Sequence, residues 1–446
     1  MAATLRPQRV IASDFGLVRG VGRWAMVALM INAIIGAGIF GLPSRIDALV
    51  GPWGLLAFVA CAVVVASICL CFAEVSSRFM ITGGPYLYTR QAFGPLPGFL
   101  LGWLSWLTRV SALAVISDVM ASYFAFFWAP AALAWGRAVV IGAVVVVLTV
   151  INLVGVVRTA TVVQFLTVGK LIPLLLFVGV GMFFLEPQRF AFVNAPELGS
   201  FSKAVFQLVF AFGGFEAAVV TAGEVKDPRR DIPFALLVAI GVTTLFYVSI
   251  QAVCLGTLPG LATSTKPLAD ASVRFMGTLG GALISLGALV STVGTLCSNI
   301  LAAPRLVYAM SEQRQLPAGL SAIHARFRTP HVAILMTGAT GLALALSGTF
   351  TYLLTLNVIT RLLTYISTAG AMLVFRRRDR EQPALFSAPG GLLVSGLTIA
   401  ACLWLLAQSG LRDLRDVGIA LAIGLVLHAA DRRSRLRREA SASSAT

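Results

Sequence analysis

Histidine is nearly missing from this chain: its 446 residues contain three, His324, His331 and His428. None stands at metal-ligand spacing and no nucleophile–base pairing is evident, so neither a metal site nor a membrane enzyme is expected. Acid is also scarce. There are 18 Asp and Glu against 34 Lys and Arg, and charged residues make up only 12% of the chain, where soluble domains average about 25%. The six cysteines (Cys61, Cys69, Cys71, Cys254, Cys297 and Cys402) all fall in apolar runs. They read as small buried hydrophobes, and a disulfide framework is not expected. No G-x-x-x-x-G-K-[ST] stretch is present, which argues against ATP-driven work, and no cofactor is implied. Residues 1–23 are polar and no short apolar run with a cleavage site precedes the first long one, so a removable leader is not expected.

What is plentiful is hydrophobic sequence. Apolar residues account for 58% of the chain and mean hydropathy is +0.91, more apolar surface than a soluble domain could hide. Apolar runs occupy 24–50, 54–77, 98–128, 132–154, 161–185, 201–222, 233–257, 275–308, 331–347, 351–375, 391–407 and 416–430. Most are long enough to span a bilayer, so the expectation is an all-α integral membrane protein of about twelve transmembrane helices.

A formal net charge of +16 invites a nucleic-acid reading, but the distribution argues against it. With the N-terminus placed in the cytoplasm, only Arg45, Arg137, Arg189, Lys203, Lys266, Arg274, Arg412 and Arg415 fall on the outer side. Arg109, Lys170 and Arg361 lie within the membrane, and the remaining majority lie inside. That asymmetry is the positive-inside pattern. It predicts a multi-pass protein of the inner or plasma membrane with both termini cytoplasmic, and no nucleic-acid partner. The basic, Ser/Ala-rich stretch 432–446 reads as a disordered tail.

Two hydrophobic segments contain glycine-centred interruptions: Gly36-Ala37-Gly38 in MVALMINAIIGAGIFGLPSRI, and Gly213-Gly214 in FQLVFAFGGFEAAVVTAGEV. Each lies about a dozen residues into its segment, near mid-bilayer at about 1.5 Å rise per residue. Glycine there is costly for a helix that only spans. Broken helices at that depth are tolerated where the backbone is buried in protein or lines a polar cavity, and breaks at matching places in two halves point to a transporter's substrate site. The alternative is that the glycines serve close helix packing.

Four segments together resemble the amino acid–polyamine–organocation (APC) transporter superfamily. They are GAGIFGLP (36–43), RFMITGGPYLYTRQAFGPLPGFLLGW (78–103), FAFGGFEAAVVTAGEVKDPRRDIPFAL (210–236) and PRLVYAMSEQRQLPAGLSAIHARFRTP (304–330). Ala37 stands where the family usually has a small hydroxyl residue, and Met80 where it has proline. The resemblance runs from about residue 24 to 378. It implies a 5+5 inverted repeat, helices 1–5 and 6–10, with helices 1 and 6 broken and two further helices outside the repeat. The corresponding organisation is an N-terminal tail 1–23, a transport core 24–378, helices 11 and 12 over 379–431, and a tail 432–446. The function implied is secondary transport of an amino acid.

An amino acid exposes a carboxylate and an ammonium, and both lose water at mid-membrane at a large cost unless protein groups replace it. The half-helix after the first break offers free N–H groups and a positive dipole end to the carboxylate, involving Ile35, Gly36, Ala37, Gly38 and Ile39. The half-helix before the second offers C=O groups of Phe210, Ala211 and Phe212, ahead of Gly213, to the ammonium. In the family that it resembles, the Phe210 position is the aromatic that covers the substrate. Lys170 lies about ten residues into helix five. The resemblance places its ammonium where sodium-coupled members of the wider fold hold sodium, which implies sodium independence. Whether it also releases a proton or is statically bonded to freed carbonyls stays open, as does whether Glu216 carries a proton or is structural. Arg109 and Arg361 need partners at this depth; a structural role is the better reading, and their field disfavours a dibasic substrate. Glu74, Arg78, Glu224, Lys226, Asp227, Arg229, Arg230 and Arg305 form either a cytoplasmic gate of ion pairs or ordinary surface charge. The overall expectation is a sodium-independent proton symporter of neutral L-amino acids, with exchange or polyamine transport as alternatives.

Overall fold

The computed structural model describes residues 22–79, 84–155, 159–220, 225–379 and 384–443. They form helices joined by short connections. The first apolar run is two helices, α1 (Arg23–Ile34) and α2 (Gly38–Val50), followed by α3 (Gly54–Ser76). Next come α4 (Gly84–Phe93), α5 (Pro95–Phe124), α6 (Ala134–Val154) and α7 (Thr159–Gly181). The second interrupted run is α8 (Leu198–Phe212) and α9 (Phe215–Val220). The remainder are α10 (Pro228–Thr257), α11 (Pro267–Glu312), α12 (His331–Ser347), α13 (Phe350–Arg378), α14 (Leu392–Leu406) and α15 (Leu411–Ser443).

Among the described residues, six stretches are each long and apolar enough to cross a membrane: Gly38–Ser76, Pro95–Phe124, Ala134–Val154, Arg230–Thr257, Pro267–Glu312 and Phe350–Arg378. A seventh candidate is Leu392–Leu406 with Leu411–Ala430, bent by 111°. Several expected spans are shorter because the chain breaks them. Helix α11 has 46 residues, more than a bilayer needs, and Gly277 at φ 67° divides it. Two elements depart from expectation. The stretch Gly84–Phe93, read only as a motif, is the helix α4. The tail expected to be disordered continues α15 as far as Ser443; its Arg, Leu, Glu and Ala are good helix formers.

Helix α5 is the axis of the molecule. It packs against α11, α13, α12 and α4. Helix α10 lies against α3 and α1, while α2 lies against α8. Polar ties cross these contacts where apolar packing alone would leave register loose. Trp106 Nε1 donates to Thr337 Oγ1 at 3.1 Å, and Trp103 Nε1 to the Ala420 carbonyl at 2.8 Å. Asn357 Nδ2 donates to the Thr108 carbonyl at 2.7 Å, and Thr108 Oγ1 to Thr360 Oγ1 at 2.8 Å, which joins α5 to α13.

The two interrupted runs meet at their breaks. A Cβ at Gly38 would lie 2.8 Å from Ala211 Cα, and a Cβ at Gly214 would lie 2.3 Å from the Ala33 carbonyl oxygen. Each break therefore sits against the backbone of the other helix, and glycine is what permits the approach. Gly36 differs: an added Cβ would only touch Thr295 Oγ1 at 3.7 Å. Close packing is thus a genuine requirement at Gly38 and Gly214, alongside any role of the breaks in binding. Gly38→Ala should destabilise the protein by about 1–3 kcal/mol, the usual cost of overpacking against backbone that cannot yield. Gly36→Ala should melt near wild type. Thermal unfolding of the purified proteins in detergent checks this; equal melting of the two variants would refute the interlock.

Candidate substrate-binding site

The first break leaves carbonyls without their helical partners. Helix α1 stops because Ile35 takes extended angles, φ −70° and ψ 93°. The carbonyls of Asn32 and Ile35 lose the i+4 N–H groups they would have met in a continuous helix. Lys170, on α7, supplies the replacement: its Nζ donates to the Asn32 carbonyl at 2.7 Å and to the Ile35 carbonyl at 2.6 Å. On the far side of the break, the N–H groups of Ala37 and Gly38 meet no acceptor among the described residues, and both residues face the cavity.

The second break has a different occupant. Gly213 is extended, at φ −77° and ψ 164°, and Gly214 has φ 117°, a left-handed region open to glycine. The Arg361 guanidinium from α13 fills the space that a side chain at position 213 would take: a Cβ there would lie 1.1 Å from Nη1. Arg361 Nη1 sits 3.0 Å from Glu216 Oε1. This is an ion pair by distance, although no N–H of Nη1 or Nε points at an acceptor in hydrogen-bonding geometry among the described residues. Glu216 Oε2 accepts from the Gly214 N–H at 2.8 Å. Glu216 thus closes the break in two ways, by accepting a freed N–H and by neutralising a buried guanidinium.

Tyr247, from α10, joins the breaks. Its Oη lies 2.9 Å from the Ile34 carbonyl and 3.1 Å from the Ala211 carbonyl. The Phe210 carbonyl accepts from the Gly213 N–H at 3.3 Å. Of the three carbonyls expected to meet an ammonium, two therefore already have a donor, while Phe212 has none among the described residues.

Both breaks open on one cavity of about 370 Å³. Gly36, Ala37, Gly38, Phe210, Gly213, Lys170 and Glu216 line it, as do Arg109, Arg361, Thr108, Ser291 and Thr295. Ile35, Ile39, Ala211 and Phe212 do not. Ile39 and Phe212 are buried core residues, and Ile35 and Ala211 contribute through the carbonyls bonded by Lys170 and Tyr247. The cavity extends towards Pro85, Tyr86 and Leu306 at one end. Phe40, Gly41, Val119 and Tyr123 do not line it and pack together: Tyr123 donates to the Phe40 carbonyl at 2.8 Å, and a Cβ on Gly41 would lie 3.0 Å from Val119.

The two arginines separate. Arg361 has Glu216. Arg109 lies half-buried on the cavity wall, one residue from Thr108. Asp118 is not its partner, in keeping with the helical spacing, because it bonds Arg137 Nε at 2.9 Å. Among the described residues, the charges expected to cluster at the cytoplasmic ends have several different partners. Glu74 is buried and is held by Arg376 Nε at 2.6 Å and the Ala388 N–H at 2.8 Å. Asp231 pairs with Arg23 at 3.5 Å, and Arg230 stands 3.9 Å from Asp227. Arg305 bonds the Leu301 carbonyl of its own helix. Glu224 and the side chain of Arg229 lie outside the described residues. Sequence reasoning missed Tyr247, whose only signal was a phenol in the middle of an apolar run, and Arg376, which looked like ordinary tail charge.

The amino acid permease family model matches residues 21–416. The chain belongs to that family: it is a membrane permease, not an enzyme, and it transports amino acids. It is 30% identical to the serine/threonine exchanger SteT of Bacillus subtilis (strain 168) over 423 residues, covering 92% of this chain and 96% of that one. It is 27% identical to the branched-chain amino acid permease BcaP of the same organism over 442 residues, covering 94% and 95%. It is 29% identical to the human cystine/glutamate transporter over 415 residues, covering 90% and 82%.

Glu216→Gln removes the charge facing a guanidinium that is only 8% exposed. Breaking a buried pair from one side typically costs about 3–5 kcal/mol, because the other charge stays buried. The variant should melt well below wild type, and Arg361→Met should recover part of the loss in the double variant. If the two single losses simply add in the double variant, the 3.0 Å contact carries no coupling.

Proposed function

We propose that this permease is a sodium-independent secondary transporter of L-amino acids that works by alternating access and takes neutral amino acids ahead of dibasic ones. The observation that carries this reading is the Lys170 ammonium seated on the Asn32 and Ile35 carbonyls. A fixed cation on two carbonyls that a broken helix has freed does the electrostatic work that a bound sodium ion would do. The α-carboxylate is then held by the N–H groups at the start of α2, and the ammonium by the end of α8. The preference against dibasic ligands follows from the cavity's charge. Lys170, Arg109 and Arg361 face it, Glu216 is the acid among its lining residues, and that acid is already engaged by Arg361. The names of the two Bacillus relatives, for serine/threonine and for branched-chain amino acids, agree with a neutral side chain. The same shortage of free acid weighs against a polyamine or other amine.

The proposed topology counts each broken run as one crossing. α1 with α2, α3, α5, α6 and α7 are helices 1–5, and α8 with α9, α10, α11, α12 and α13 are helices 6–10 of an inverted repeat within 24–378. α14 and α15 are the two additional crossings over 379–431, between tails 1–23 and 432–446. With both termini in the cytoplasm of a cell-membrane protein, the end of the cavity bounded by Pro85 and Tyr86 faces inward. The side packed by Phe40 and Tyr123 faces out, which describes an inward-facing conformation.

Proton symport is the favoured coupling, with Lys170 or Glu216 as the proton carrier. Exchange is the second reading, because Lys170 makes two hydrogen bonds that hold its ammonium in place, and because one relative is named an exchanger. The purified protein in liposomes should take up labelled amino acid unchanged when sodium is replaced by choline, and an inward proton gradient should drive accumulation. Alanine, serine or leucine should compete better than arginine or putrescine. Lys170→Ala should cut net uptake steeply. Lys170→Arg keeps the charge but cannot lose its proton, so wild-type proton-driven uptake in that variant moves the coupling to Glu216. A requirement for sodium would sink the reading of Lys170 altogether.

A further inference from the structure

We infer that Arg109 is a specificity-determining residue that receives an anionic side chain, so that among L-amino acids the acidic ones bind ahead of their neutral isosteres; this rests on the amino acid transport reading above but places acidic side chains ahead of the neutral ones favoured there. The argument begins with how each cation in the cavity is satisfied. Lys170 is bonded to two carbonyls. Arg361 sits in the side-chain space of Gly213, against Glu216. The two oxygens of Glu216 are committed, one towards Arg361 and one to the Gly214 N–H. Among the described residues, Arg109 has neither an ion pair nor a hydrogen bond. It cannot relieve that by losing its proton, since a guanidinium stays charged.

The charges around Arg109 sharpen the demand. Besides Arg109, the charged groups facing the same cavity among the described residues are Lys170 from α7, Arg361 from α13 and Glu216 from α9, with the neutral phenol Tyr86 at its edge. Three cations meet one anion, so the unliganded cavity carries an excess of positive charge. A zwitterionic ligand leaves that excess unchanged. A ligand with one further carboxylate reduces it and supplies Arg109 with an acceptor suited to its planar fork. The wall beside Arg109 is already fixed for this purpose. Thr108 is tied to Thr360 at 2.8 Å and its carbonyl to Asn357 at 2.7 Å, so the turn that carries the guanidinium is anchored to α13.

The substrate's backbone charges belong to the ends of α2 and α8, and its side-chain anion belongs to α5. A merely structural Arg109 would need a protein acceptor, and among the described residues it has none.

The test compares L-glutamate with L-glutamine and with the 5-methyl ester of L-glutamate, three ligands that differ at one group. Affinities come from thermal shift of the purified full-length protein and from competition for uptake in liposomes. Glutamate should bind about tenfold or more tighter than either neutral analogue, in line with a charge-assisted pair at a partly desolvated site. In Arg109→Gln the glutamate-to-glutamine ratio should fall to about one, and in Arg109→Lys it should stay above one. A structural role alone would weaken all three ligands together and leave the ratio as in wild type; finding that overturns the inference. A wild-type ratio at or below one overturns it equally, and needs no variant to fold. If glutamine-type ligands bind and glutamate shows no advantage, only this inference fails. If no amino acid binds at all, the transport reading fails with it.

Discussion

Everything at the centre of this protein depends on one constraint: peptide groups released by breaking a helix inside a membrane must find partners without bulk water. The two breaks answer it with side chains borrowed from elsewhere. Lys170 from α7 takes the carbonyls at the end of α1, and Tyr247 from α10 spans the end of α1 and the end of α8. Glu216 takes the N–H of Gly214, and Arg361 from α13 balances Glu216. Three helices beyond the broken runs, α7, α10 and α13, are thereby pinned to them. Among the described residues, the N–H groups of Ala37 and Gly38, on residues that line the cavity, are left over, while the Phe212 carbonyl lacks a donor within the buried core.

The interlock of glycines and the polar replacement are two sides of one design. Gly38 against Ala211 and Gly214 against Ala33 bring backbones close enough for single side chains to reach both. Had either glycine carried a Cβ, the helices would stand further apart, and Tyr247 could not touch carbonyls on both.

The sequence made much of this legible. Gly36, Gly38, Gly213 and Gly214 marked both breaks to within a residue, because two glycines close together at mid-run weaken a helix where it only needs to span. Lys170 announced itself by its cost. The membrane class and the lengths of most helices followed from the apolar runs. What stayed hidden was pairing across long separations. Nothing local distinguishes Arg361, which pairs with Glu216, from Arg109, which has no ion pair or hydrogen bond among the described residues, since both are single arginines flanked by Thr and apolar residues. Glu74 and Arg376 lie far apart in sequence, so neither foretold the other. Packing demands were equally opaque: Gly36 and Gly38 look alike in the motif, yet only Gly38 is pressed against backbone. The helical continuation of α15 into its charged end was missed because charge content was weighed above helix propensity.

Tyr247 carries a consequence of a different kind. A phenol has one hydrogen to give, yet its oxygen stands within reach of two acceptors, one on each broken helix. At any instant one of the two carbonyls goes without. Rotation about the ring's C–O bond passes the hydrogen from one to the other without moving the ring, so the joint between the two helices is less like a rivet than like a hinge pin with play in it. A slide of α1 past α8 that lengthened one contact would leave the hydrogen free to serve the other. The seam can shift while the number of satisfied carbonyls stays constant.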